Sequence, residues 1–328
     1  MRHPLPDELS GDPLEAVRSA CAQVAERARY VHIARDRIED YAATLPCDEI
    51  RSASASFLPD TSAAPEELVA FVLELDTINF GSGYFPLLKK RPQMSGYHTL
   101  EACLTQRFAE AGSLSPHELR HMTSARCAEI FEQTLETAEI RELMELYAQA
   151  WRELGERVEE RYAGSFMQLV SSARGSASAL VQILLEMPLY CDISSYEGFP
   201  VPFLKRAQLC AADLTLALPA GGDRFTDLHR LTAFADNLVP HVLRLDGILQ
   251  YEPELLTRIE NEELIPAGSA QEVETRACGV HAVELLVAEL TRRSSTIAAH
   301  QLDSWLWQRG GGARYKAQPR HRTRCPYY

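Results

Sequence analysis

One carboxylate and two cations in the second half of the chain have the types and neighbours to do chemistry. Asp236 lies in RFTDLHRLTAFADNLVPHVLRLDGILQY (224–251), in a break between two apolar segments. Leu228, Leu231, Thr232 and Phe234 read as one helix, and a second helix is expected from about Asn237. Pro240 has no N–H and fits only within a first turn, which makes Asn237 the expected N-cap. That sets Asp236 at the positive end of the helix dipole. Val239, Val242, Leu243 and Leu249 give this second helix a wide buried face. A carboxylate there can offset positive charge or accept a proton; a plain capping role is the alternative. Lys205 and Arg206 open FLKRAQLCAADLTLAL (203–218), read as a buried helix. Cations in a first turn oppose the dipole unless an anion, or a carboxylate such as Asp236, compensates them. A snorkelling pair at a helix end accounts for them equally well.

A second group of unusual residues follows PEELVAFVLEL (65–75), which reads as a buried helix starting at Pro65. In DTINFGSGYFP (76–86), Asp76 and Asn79 supply polar groups and Phe80, Tyr84 and Phe85 supply aromatic faces. Gly81, Ser82 and Gly83 let the backbone come close to something, so a pocket wall is expected. No strand precedes this G-x-G and no G-K-S/T follows, so it is not a phosphate loop. His117 and His121 are four apart but not in H-E-x-x-H, and the eight cysteines form no C-x-x-C, so no metal is expected. The net charge of −13 argues against a long nucleic acid as partner, because a phosphate backbone demands a basic face. A single phosphate needs only a few local cations. The tail ARYKAQPRHRTRCPYY (313–328) carries five Arg and Lys in this acidic chain. We expect it to fold back, anchored by Tyr315, Tyr327 and Tyr328, and to offer cations to an anionic ligand.

The elements that must position these residues read as almost wholly helical. Residues 1–11 form a loose arm, 12–44 one helix or two joined near Tyr30, and 47–64 a surface loop. Residues 87–97 read as a short hairpin or loop. Residues 99–153 read as helical, broken at Gly112-Ser113 and near Thr123, with a capped start at Ser115-Pro116-His117-Glu118. Two helices flank Gly175, and YCDISSYEGFPVPF (190–203) reads as a hairpin turning at Glu197-Gly198, the one expected β element. After a Gly221-Gly222 turn and the Asp236 stretch, helices are expected over 253–264, 269–290 and 296–308. In the second of these, Glu272 and Arg276 form a pair worth only a few tenths of a kcal/mol (~0.3) if exposed. The expected fold class is all-α, with a helical extension and loop over 1–64 and the main unit over 65–328. No secretory h-region and no apolar run of membrane-spanning length occurs, so a cytoplasmic monomer is expected.

The spacing D-x-x-V-x-x-V-x-x-x-x-G from Asp236 to Gly247 resembles the helix-hairpin-helix DNA glycosylases, in which the Asp carries N-glycosidic cleavage. Ala235, His241 and Leu245-Asp246 depart from that pattern. A wider resemblance runs from about Pro65 to the last residue. LDTINFGSGYFP (75–86), MSGYHTL (94–100), YAGSF (162–166), FLKRAQLCAAD (203–213), LTAFADNLVPHVL (231–243), QEVETRACGVHAVELL (271–286) and HRTRCPYY (321–328) occur in order. Together they resemble the queuosine salvage family, the queuosine 5′-phosphate N-glycosidases. The resemblance implies a glycosylase-like helical fold with a central cleft, and release of the base queuine without metal or organic cofactor.

It also implies that Asp236 and Lys205 are catalytic. Hydrolysis of an N-glycosidic bond needs a carboxylate beside the oxocarbenium-like sugar. The base would be stacked by Phe80, Tyr97 or Phe234, with Asp76, Asn79, Arg206, Asp227 and His241 as further contacts. Arg322, Arg324 and Tyr328 are the expected phosphate ligands. Asn237 stands where the family carries Tyr. Two rivals remain at this level: a protein that binds queuine or a nucleotide without turnover, and a DNA repair glycosylase.

Overall fold

Two helices that are buried on nearly every side decide the architecture. Pro65–Thr77 buries every residue from Leu68 to Thr77, and Ala270–Arg292 buries an unbroken run from Gln271 to Val280. Such helices need neighbours all round. Pro65–Thr77 packs against Lys205–Ala217 and Ala138–Arg161, while Ala270–Arg292 packs against Pro13–Arg27, Val239–Leu245 and Ala299–Gly310. The computed structural model describes residues 11–52, 63–218 and 225–328. The Gly221-Gly222 turn, Arg224 and most of the arm and loop expected in the first 64 residues lie outside the described residues. Among the described residues, no helix is long and apolar enough to cross a membrane.

The hairpin forms as expected, Ile193–Tyr196 against Phe199–Pro202, with Tyr196 opposite Phe199 and Glu197 and Gly198 at positive φ in the turn. The two expected helices flank Gly175, at Phe166–Ser171 and Ala177–Leu184. Ser115 and Glu118 close a reciprocal capping box.

Several expectations are corrected. Residues 12–44 are interrupted by a strand, Val31–Ile33, which pairs antiparallel with Leu249–Tyr251. Glu274 nucleates that interruption, because one of its oxygens accepts the N–H groups of Arg29, Tyr30 and Val31. The second helix of the Asp236 stretch stops at Leu245, and Leu249 sits in a strand beyond Gly247, whose φ is +79°. The first helix of that stretch does not form beyond a turn at Leu228–Arg230. Of the two forms expected for 87–97 the loop is the one that forms, and it ends early, with the next helix starting at Gly96, capped by Ser95. Helical residues also break at 131–137.

Candidate active site

The Asp236 segment is extended because side chains, not a helix, satisfy its backbone. The Gln208 amide oxygen accepts the Thr232 N–H at 2.9 Å, and the Asp303 carboxylate accepts the Phe234 N–H at 2.9 Å. Arg276 Nε donates to the Ala235 carbonyl at 2.9 Å. Asp236 then caps the next helix itself. Its Oδ1 accepts from Leu238 N at 2.8 Å and Val239 N at 3.0 Å. The expected N-cap, Asn237, instead turns its amide to the His321 carbonyl at 3.2 Å. So one Asp236 oxygen is fixed by backbone N–H groups, while Oδ2 takes no hydrogen bond among the described residues.

Arg276 clamps this segment to the Lys205 helix. Its guanidinium is 1% exposed and forks onto Asp192, at 3.1 Å to Oδ1 and 2.5 Å to Oδ2. It also reaches Glu272 at 3.3 Å and lies between the rings of Phe203 and Tyr328, 3.9 and 4.5 Å from their centroids. The Asp192 carbonyl accepts the Phe203 N–H, so Asp192 sets the turn that enters Lys205–Ala217. The Glu272–Arg276 pair is therefore a buried network, not the weak surface pair expected. Asp192 neutralises one of its charges, and removing the arginine would strand two acids.

Lys205 begins that helix and points at the end of Pro65–Thr77. Its Nζ donates to the Asn79 carbonyl and to Asn79 Oδ1, both at 2.9 Å. Asn79 in turn donates to Asp76 Oδ1 at 3.4 Å. Burial pushes the Lys205 ammonium below its usual range, and the charges of Asp236 and then Asp76 push it back. Lys205 thus feels two carboxylates without a direct ion pair to either. Burial raises the Asp76 carboxyl to about 7, against the pull of Lys205. Burial also pushes the Asp303 carboxyl well above the carboxylate range, and Asp236 adds to it.

Not every expected residue joins this cluster. Arg206 donates to the carbonyls of Thr77 and Leu189 and sits over Phe80 and Tyr190, 4.7 and 4.9 Å from their centroids. That spends both the cation and one face of Phe80, whose ring also meets Tyr147 edge-on. Asp227 accepts from the Ser176 hydroxyl and the Ala177 N–H at the start of Ala177–Leu184, so it caps that helix. His241 bonds the Tyr315 carbonyl at 2.9 Å, and burial lowers its pKa to about 4, so it is a neutral strut. Phe234 is buried beside Asp236. Tyr97 is half-buried, edge-on to Trp307 with centroids 5.8 Å apart.

The tail folds back, as expected, but its cations are spent differently. Arg322 pairs with Glu262 at 2.6 Å, and Arg324 lies 3.6 Å from Glu139 with its Nε buried and unpartnered. Tyr328 is buried, its hydroxyl 3.3 Å from His321 Nε2. Its backbone oxygen accepts the N–H groups of Gly81 and Ser82 at 2.9 and 3.2 Å. A Cβ on Gly83 would run into the Thr323 carbonyl. The glycine stretch admits the tail. Arg320, by contrast, has no hydrogen bond or ion pair among the described residues. Burial lowers its guanidinium and the charge of Asp236 raises it. Its chain neighbours are fixed, Pro319 O by Arg244 at 3.1 Å and His321 O by Asn237.

Sequence reasoning missed Arg320, Asp303 and Asp213. Asp213 lies eight residues after Lys205 on one helix, which was a readable signal. Asp303, an acid set between Leu302 and Leu306 in the last long helix, was another.

Fold and site together define an α-helical protein in which a capped carboxylate and a buried lysine, carried by separate segments, are held by one guanidinium. A sequence model described as "Queuosine salvage protein" matches residues 59–328, and the chain belongs to that family. A relative from Sphaerobacter thermophilus, named queuosine 5′-phosphate N-glycosylase/hydrolase, is 34% identical over 325 residues, 97% of this chain and 99% of its own. Relatives of the same name from Dictyostelium discoideum and Mus musculus are 31% and 36% identical, over 80% and 57% of this chain and 79% and 58% of theirs.

Proposed function

We propose that the chain hydrolyses the N-glycosidic bond of queuosine 5′-phosphate, giving queuine and ribose 5-phosphate. The observation that carries this reading is Asp236, with one oxygen held by two backbone N–H groups and the other unbonded, beside Lys205. As the C1′–N bond breaks, its electron pair leaves with the base and C1′ becomes oxocarbenium-like. The Asp236 carboxylate offsets that charge and takes a proton from the attacking water, whose oxygen bonds C1′. The departing base takes a proton from solvent at nitrogen and Asp236 returns its own to solvent, so the sum is one water added across C1′–N. Lys205 acts on Asp236 through space, keeping a positive charge behind the carboxylate, and holds Asn79 in place. The reaction as written calls for no metal or organic cofactor. The working unit in this reading is a single chain in the cytoplasm acting on a small molecule.

Arg320 is the cation we assign to the 5′-phosphate, in place of Arg322 and Arg324. It lies near Asp236 and is the one of the three without an acidic partner among the described residues. A phosphate held by one or two such groups is worth roughly 2–4 kcal/mol, about 30- to 1000-fold in kcat/KM. Base release from the 5′-phosphate and from the nucleoside, compared by chromatography, tests this. The nucleotide is expected to react faster, with Arg320→Ala closing most of the gap and Arg322→Ala leaving it open. No release of base from either substrate would overturn the function itself.

A further inference from the structure

Asp76 on Pro65–Thr77 and Asp213 on Lys205–Ala217, two helices packed together, are buried acids that the reaction above does not use. Asp213 is 9% exposed, and its carboxylate has no hydrogen bond or ion pair among the described residues. Asp76, fully buried, has one oxygen, Oδ2, with no partner. Glu101 adds a third acid, bonded to the half-exposed ring of His98 at 3.0 Å and to the Tyr97 hydroxyl. Asp213 feels Asp76, Lys205 and Glu101 in that order after burial, and its carboxyl is pushed well above the usual range. Tyr97 stands in the same field of Glu101, Asp76 and Asp213, its ring against Trp307.

Asp76 and Asp213 therefore share one lysine, which Asp236 also draws on. Buried polar groups are normally paired, and an unpaired buried acid costs stability, so a site that keeps two of them invites an explanation. Hydrogen-bond donors brought by a ligand would satisfy both. A cation would do more, because it would also remove the repulsion among the acids. Aromatic rings beside acids suit an alkylammonium, which gains from the ring faces as well as from the charge.

We propose that Asp213, with Asp76 and Glu101, forms an acidic subsite that selects a base carrying a protonated alkylamine. This rests on the function proposed above, and on the chemistry of queuine, a 7-deazaguanine whose 7-methylene bears a secondary amine. In this reading Arg320 and Asp236 serve the other two parts of the substrate. Phosphate lies at Arg320, the glycosidic bond at Asp236, and the amine at Asp213.

The test uses two ribonucleotide 5′-phosphates that differ at one group, 7-aminomethyl-7-deazaguanosine and 7-cyano-7-deazaguanosine. The full-length protein is expected to favour the amine by about 10- to 100-fold in kcat/KM, the worth of one charge-assisted contact. Asp213→Asn, nearly isosteric, should collapse that ratio towards one by slowing the amine substrate alone. Glu101→Gln, at a less buried position, should lower the ratio by a smaller factor. Equal slowing of both substrates by Asp213→Asn would mean that it binds the guanine-like edge or supports the fold, and would overturn the proposal. So would equal rates for the two substrates on the unaltered protein. Either result leaves hydrolysis intact and so is distinct from failure of the function itself.

Discussion

Replacing Asp236 by Asn separates the two jobs of its side chain. One job is structural: Oδ1 accepts from Leu238 N at 2.8 Å and Val239 N at 3.0 Å. An Asn carbonyl oxygen can accept the same two bonds, and Asn caps a helix about as well as Asp, so the cost in stability should stay under about 0.5 kcal/mol. That is about 1–2 °C in Tm for a chain of this size. Asp236→Ala loses both bonds and should cost about 1–2 kcal/mol, several degrees. The other job is electrostatic. Asp236 is the first charge to raise Lys205 and Arg320 after burial lowers them, so neutralising it should leave both cations easier to deprotonate. Losing a preorganised charge at the reacting centre typically costs about 10²–10⁴ in kcat. Binding of free queuine should weaken much less, since the base carries none of the charge that develops on the sugar. The assay is release of base from queuosine 5′-phosphate under single-turnover conditions, beside a thermal melt and a queuine titration. A variant that keeps more than about a tenth of wild-type kcat, below the range those effects allow, would reduce Asp236 to a cap and refute the mechanism.

Lys205→Met should lower kcat by about 10²–10³-fold, because the charge behind Asp236 disappears and Asn79 loses its donor; a change within threefold (about 0.7 kcal/mol) would make the lysine a strut only. Arg276→Met strands Asp192 and Glu272 in the core and should destabilise by about 3–5 kcal/mol, more than ~6 °C in a thermal melt. For pH, burial lowers His321 to about 3 and His241 to about 4 from 6.5. Their folded forms bind fewer protons than the unfolded chain, so their contribution is present above pH 6.5 and is lost as pH falls towards 3–4. His321→Gln should flatten that fall, by an amount on the order of a few kcal/mol across the window in denaturant titrations; an unchanged slope would discard the assignment.

Much of the helical content was legible, because caps and periodicity act locally: the Ser115 box, the Pro65 start and the hairpin at Glu197-Gly198 all formed as read. The failures share a cause. Leu228 to Phe234 has the composition of a helix, yet Gln208, Asp303 and Arg276, from three other segments, take its backbone groups. Val31–Ile33 continues an apolar pattern, yet Glu274, more than 240 residues away, holds three of its neighbouring N–H groups. Propensity is a weak prior against such long-range hydrogen bonds, and no window of sequence contains them. For the candidate site, residue types singled out Asp236 and Lys205. Which cations of the tail were spent on acids could not be read, because Glu139 and Glu262 meet Arg324 and Arg322 only in the folded chain.

The tail changes how the site should be thought of. Tyr328 covers one face of Arg276, and Arg276 holds the carbonyl before Asp236. His321 lends its carbonyl to Asn237, the residue after Asp236. Thr323 closes on Ile265, and the tail passes Gly83 so closely that no side chain fits between. The carboxylate is thus bracketed on both sides by contacts that exist only when residues 319–328 are docked. Preorganised groups act strongly because nothing has to move when charge develops. A tail that docks through buried, neutral histidines and a stacked guanidinium supplies that rigidity at Asp236. Gly83→Ala should then slow turnover through a displaced tail, although it touches no reacting atom.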